Sequence, residues 1–236
     1  TSSPLWKMSI SPSRRPHVNS LIIYKDEIQG FLRSRAMIIL AVGLPLLVVA
    51  LRLIQPNTEG IPFFSFTAIL IASIGGTLGA VLLSTALTNE RQQHVYDLFL
   101  IRPVGRSALL LGKYFAALTM LLATAVLALL LGVVADLVAG RPPADIVVAA
   151  VEPVVLSLSG MAIACAVGAL LGVLVESVAV SAILAVYLGN QLSAVAVLPS
   201  ALAPDLPVIP IALAAGVVVP AVLLSIAAIV FRRKTL

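Results

Sequence analysis

The sequence predicts an all-α, polytopic membrane protein with six transmembrane helices. Composition is the first observation: 61% of the 236 residues are hydrophobic and 11% are charged, against about 45–50% and about 25% in soluble domains. The second is the grouping of the apolar residues into runs at 36–54, 63–88, 108–138, 147–175, 177–198 and 209–231. Each run is long enough to cross about 30 Å of hydrocarbon at about 1.5 Å per residue. Mean hydropathy is +1.14. Six such spans and their connections use up the chain and leave no separate soluble domain.

Residues 1–18 read as a polar tail. Arg14 and Arg15 are followed by neither an apolar stretch nor a small-residue cleavage site, so this stretch is not read as a secretory signal. Over 19–35, Leu21, Tyr24, Ile28, Phe31 and Leu32 recur at helical spacing, with Lys25, Asp26, Glu27, Gln29 and Arg33 mainly on the other side. This pattern predicts an amphipathic interfacial helix, after which Arg33 and Arg35 snorkel to headgroups. Pro45 and Pro220 are expected to kink their spans, and the fourth span to tilt or break near Glu152-Pro153. The third span is expected to begin outside the bilayer, over Ser107 to Lys113, and only Val175-Glu176-Ser177 separates the fourth and fifth. Before the sixth span, Pro199, Pro204, Pro207 and Pro210 interrupt an apolar stretch. A short re-entrant or interfacial helix pair would reconcile the prolines with the apolarity. Residues 232–236 form a basic tail.

Six spans put both termini on one side. All fifteen Lys and Arg residues except Arg52 and Arg141 then fall on that side, which the positive-inside tendency assigns to the cytoplasm. The expected location is a prokaryotic inner or plasma membrane, with both termini cytoplasmic.

Several chemistries are poorly supported. The basic residues sit at the ends of apolar runs and make no patch for nucleic acid. Cys165 is the single cysteine, and His17 and His94 are the only histidines, both outside the spans; no catalytic residue, metal site or cofactor site is expected. An ion-coupled carrier needs ionisable groups deep in the membrane, yet Arg52, Asp136, Glu152 and Glu176 all lie near span ends. Within a span, only Asn190 and Gln191 offer amides. GRSALLLGKY, from Gly105 to Tyr114, has six residues between its glycines instead of four and a tyrosine where a Mg-binding hydroxyl belongs. ATP, if used, must be bound by a partner.

Small residues mark close helix packing. Gly75 and Gly79 form a GxxxG step, and Gly160, Ala164, Gly168 and Gly172 repeat every fourth residue. Packing inside the bundle and packing against another subunit both fit this pattern.

The longest polar interruption runs from Asn89 to Lys113. As a helix from Glu90 to Leu100 it groups Arg91, Val95, Leu98, Phe99 and Arg102 on one face, before Pro103 and Gly105 turn the chain. Glu90-Arg91, Leu98, Pro103-Val104, Arg106 and Gly112-Lys113 resemble the first-cytoplasmic-loop pattern of type-2 ABC transporter permeases. The lead-in helix, six spans and irregular stretch before the last span are similar to that family too, including short members implicated in copper-site maturation. A large outer domain is lacking, and residues 1–18 precede the lead-in helix.

The resemblance implies a coupling helix docked on a separate ATPase subunit that binds ATP and Mg, with two permease chains, identical or related, enclosing a path. Val95, Leu98 and Phe99 would be its apolar contact. Glu90, Arg91, Arg102, Pro103 and Arg106 would form its rim and turn, and Lys113 would lead into the third span. Export is the expected activity; the residues do not identify the cargo, although mostly apolar spans suit a lipophilic or amphiphilic one. A non-transporting membrane scaffold or assembly factor, and an ion-coupled secondary transporter, remain open on the residues alone.

Overall fold

A computed structural model describes residues 20–54, 62–93, 106–196 and 207–233. The expected N-terminal tail, the helix pair before the last span and the contact residues Val95, Leu98, Phe99, Arg102 and Pro103 lie outside the described residues. Among those described there are seven α-helices and no strand: α1 Ser20–Arg33, α2 Arg35–Ile54, α3 Phe63–Gln92, α4 Arg106–Val138, α5 Pro143–Leu174, α6 Val178–Ser193 and α7 Val208–Arg233. A 3₁₀ turn, Ala194–Ala196, continues α6. Helices α2 to α7 are long and apolar enough to cross a membrane.

Contacts at the two ends show that the helices alternate in direction. One end joins α1, the start of α2, the end of α3, the start of α4 and the α5–α6 junction; we call it the basic end. Glu27, Glu90 and Lys113 meet there. Arg52, Phe63 and Asp136 meet at the other.

At about 1.5 Å per residue, the 33 residues of α4 and the 30 of α3 span about 50 and 45 Å, well beyond the roughly 30 Å hydrocarbon core. Charged residues at their basic ends therefore project past the apolar layer. The 16 residues of α6 reach only about 24 Å, and the 3₁₀ turn supplies most of the shortfall.

Helix α5 is the most buried span and packs against α3, α4, α6 and α7. In lipid there is little hydrophobic force between helices, so close van der Waals fit decides which faces meet. A methyl group added at Gly168 would collide with the backbone of Ala80. At Gly172 it would lie 2.7 Å from Leu87 Cβ, at Gly79 2.9 Å from a Leu121 methyl, and at Gly75 2.9 Å from Met161 Cε. These four glycines face partners within the chain. Outward faces are apolar instead: Ile39, Leu46, Ile69, Val126, Ile183 and Val217 are all exposed, as lipid-facing side chains should be.

The break that was one alternative for the fourth span does not occur. Helix α5 runs unbroken through Glu152 and Pro153. Proline has no N–H for the carbonyl four residues earlier, that of Ala149. Ser65 Oγ on α3 donates to that oxygen at 3.3 Å, so a neighbouring helix replaces the missing donor, as membrane interiors require. Helices α2 and α7 likewise continue through Pro45 and Pro220.

The far end is held by a helix stop. Gly140 adopts φ +80°, and the Arg141 and Gly140 amides donate to the carbonyls of Asp136 and Leu137 at 3.2 and 3.0 Å, a Schellman closure of α4. Asp136, 1% exposed, then accepts from the Phe63 and Phe64 amides at 3.1 and 2.8 Å. It thus caps α3 from another helix, where Pro62 makes no side-chain cap. Arg141 Nε lies 3.5 Å from the same carboxylate, and the Arg52 guanidinium sits 5.4 Å from the Phe63 ring centroid.

A candidate coupling site at the basic end

Lys113 lies two turns into α4 and is buried. Its Nζ is 2.7 Å from Glu27 Oε1 on α1 and 2.8 Å from Glu90 Oε1 near the end of α3. An ammonium has three donors, and desolvating it without a partner would be costly. Two carboxylates, each about a quarter exposed, meet that need from two different helices. The pairing gathers α1, α3 and α4 at one point. One turn away from Glu27, Tyr24 donates to Thr119 Oγ1 at 2.9 Å, a second tie between α1 and α4.

Glu90 and Arg91 do not begin a separate helix: α3 continues through them to Gln92. This corrects the expected helix start and has a geometric consequence. The last turn of α3 lies against the tip of α5. Arg91 Nη1 donates to the carbonyls of Val173 at 2.5 Å and Val175 at 3.5 Å. A cation there also complements the negative end of the α5 dipole. Gln92 Nε2 donates to the Glu176 carbonyl at 2.7 Å. Thr88 Oγ1 lies 3.2 Å from Ser181 Oγ on α6. The α5–α6 junction, whose Ser177 caps α6, is therefore gripped by α3.

Of the residues expected from the sequence, the structure brings Glu90, Arg91 and Lys113 together at this end and ties all three to other helices of the chain. Arg106 opens α4. Glu27, Thr88, Gln92 and the carbonyls of Val173 and Val175 were not expected at this site. One signal was available: a lone lysine two turns into an apolar helix needs a carboxylate partner. Nothing in the sequence says which one.

The described residues contain no group of three or more His, Cys, Asp or Glu side chains placed to hold a metal. No buried side-chain nitrogen or oxygen among them is left without a hydrogen-bond partner. The end of α3 and the start of α4 are thus linked through Lys113 and Arg91 to α1 and to the α5–α6 junction.

Six membrane-crossing helices, apolar on the outside and tied together at a basic end, define an integral, multi-pass membrane protein. A family model described as ABC-2 family transporter protein matches residues 26–191, and the chain belongs to that family. It is accordingly a permease subunit of an ABC transporter, of the kind that works with ABC ATPase subunits. A search of curated proteins finds no match.

Proposed function

We propose that the chain moves its cargo outward by alternating access, driven by ATP hydrolysis in a separate ATPase subunit that docks on residues 94–105. The observation that carries this reading is the clamp at both edges of that segment. Its leading edge, Glu90 to Gln92, is bonded to Lys113 and to the α5–α6 junction. Its trailing edge leads into α4, where Lys113 is held by α1 as well. A docked partner would thus move several spans together instead of bending one loop. On this reading the basic end is cytoplasmic, and Val95, Leu98 and Phe99 are the apolar contact, as the family resemblance implies.

A second permease chain belongs to the same proposal. Asn190 and Gln191 lie on the exposed face of α6, in a helix otherwise suited to lipid. Amides facing hydrocarbon without partners are costly. A second chain, or a path enclosed between two chains, would supply what lipid cannot. The mostly apolar spans suit a lipophilic or amphiphilic cargo.

The test is copurification. Tagged protein, gently solubilised, should bring down an ATPase subunit, and Phe99→Asp should abolish both the association and ATP-dependent transport. Isolation without any nucleotide-binding partner, together with transport unaffected by Phe99→Asp, would sink the proposal.

A further inference from the structure

Between α1 and the basic end of α4 lies an open groove of about 550 Å³, with Tyr24 on one side and a stripe of α4 from Ser107 to Thr119 on the other. Leu111 and Phe115, 38% and 51% exposed, are its apolar floor. From Tyr114 to Ala135, α4 carries no charge. That stretch covers about 33 Å at about 1.5 Å per residue and so fills the hydrocarbon layer by itself. Ser107 to Lys113 consequently lie beyond the layer, where the exposed Leu111 meets water and headgroups instead of lipid tails. An apolar floor in that position calls for a cover.

We propose that the cover is the chain's own N-terminal segment, seated in the groove through Trp6, Met8 and Ile10. Residues 1–19 lie outside the described residues and join α1 at Ser20, one turn ahead of Tyr24 in the groove wall. From Trp6 to Ser11, WKMSIS alternates apolar and polar side chains, the pattern that gives an extended segment a single apolar face. In that form Trp6 to Ile10 covers about 13 Å. Ser107 to Phe115 covers about 12 Å of α4, so the two match in length. The chain from Ile10 to Ser20 can reach up to about 33 Å, farther than the groove is long. A tether of this kind holds the segment at an effective concentration on the order of millimolar, and three apolar side chains then suffice without high intrinsic affinity. Residues 94–105 border the groove as well, but their apolar face, Val95, Leu98 and Phe99, is taken up by the ATPase on the reading above. The seated segment would pin α1 to α4 beside the Lys113 joint. The proposal needs only the groove and its place beyond the apolar layer, so it stands or falls separately from ATP-driven export.

Trp6 is the single tryptophan of the chain, so the intrinsic fluorescence of the full chain in phosphatidylcholine nanodiscs reads this segment directly. Its emission should be blue-shifted and shielded from acrylamide, and lipids brominated along their tails should not quench it. Leu111→Glu should shift the emission to the red and open Trp6 to acrylamide. Met8→Asp should do the same from the other side of the contact, without touching the helices. In a Cys165→Ala background, a short bismaleimide should join Ser9→Cys to Ser107→Cys within one chain. It should not join Ser9→Cys to Arg35→Cys, which is exposed at the same end but lies outside the groove, and Trp6→Ser should remove the first link. The emission of a fully solvated indole in the unmodified chain overturns the proposal, and quenching by brominated tails does so by placing the segment in the bilayer. A link between two chains, or one to Ser107→Cys from Leu98→Cys but not from Ser9→Cys, gives the groove to another occupant and overturns it as well. Should Leu111→Glu not fold, Met8→Asp decides alone: unchanged emission overturns the site.

Discussion

The ammonium of Lys113 and the carboxylate of Glu90, 23 residues apart in sequence, meet at 2.8 Å where α3 ends and α4 begins. With Glu27 on the other side of the same nitrogen, this is the point where three helices exchange force. Lys113→Met would leave two carboxylates facing each other without the cation. Removing one partner of a buried pair costs about 3–5 kcal/mol; because the carboxylates here are partly exposed, about 1–3 kcal/mol is expected. Thermal unfolding in detergent, followed by size-exclusion fluorescence, should show the loss. The exchange Lys113→Glu with Glu90→Lys should recover only part of it, since Glu27 would then face a second carboxylate.

Gly168 against Ala80 is the tightest approach between α3 and α5. Gly168→Val would force the two helices apart, at a cost of about 1–3 kcal/mol or more. Gly30→Ala should be neutral or slightly stabilising, because a methyl group there meets nothing within 4 Å. Equal melting temperatures for the two variants would refute the packing described here.

Ser65 and Pro153 should be coupled. Ser65→Ala leaves the Ala149 carbonyl without its donor and should cost about 0.5–1.5 kcal/mol. In a Pro153→Ala background the helix regains its own N–H, and Ser65→Ala should then cost close to nothing. A double-mutant cycle measures this directly, and additive effects would show that the two do not interact.

Asp136 caps α3 from a different helix. Asp136→Ala removes both acceptors for the Phe63 and Phe64 amides and should destabilise by about 1–2 kcal/mol. Asp136→Asn keeps one acceptor oxygen and should lie between. Hydrogen exchange should place the loss at the first turn of α3, while the α5–α6 junction stays protected.

Single cysteines test the sidedness. Cys165 is fully buried, so it should stay silent to impermeant maleimides and can be replaced by alanine. A cysteine at exposed Ala139 should react from outside intact cells, and one at Lys25 only after permeabilisation. The reverse pattern would invert the proposed orientation.

The number of spans and their alternation were legible in the sequence by itself. A bilayer imposes one rule on every segment that crosses it, namely about 20 apolar residues with backbone bonds satisfied internally, and that rule is local. The clustering of Glu90, Arg91 and Lys113 near one end followed from the same alternation. Tertiary structure alone decided who meets whom. Lys113 could have taken any nearby carboxylate, and it takes Glu27 and Glu90. Pro153 looked like a break until Ser65, 88 positions earlier, supplied the donor for Ala149. Glu90 looked like a helix start until α3 was seen to run past it and grip the α5–α6 junction. These outcomes depend on side chains that are 23 to 88 residues apart in sequence. Hydropathy can say that each must find a partner, but only the packing of α5 against its neighbours settles which partner lies within reach.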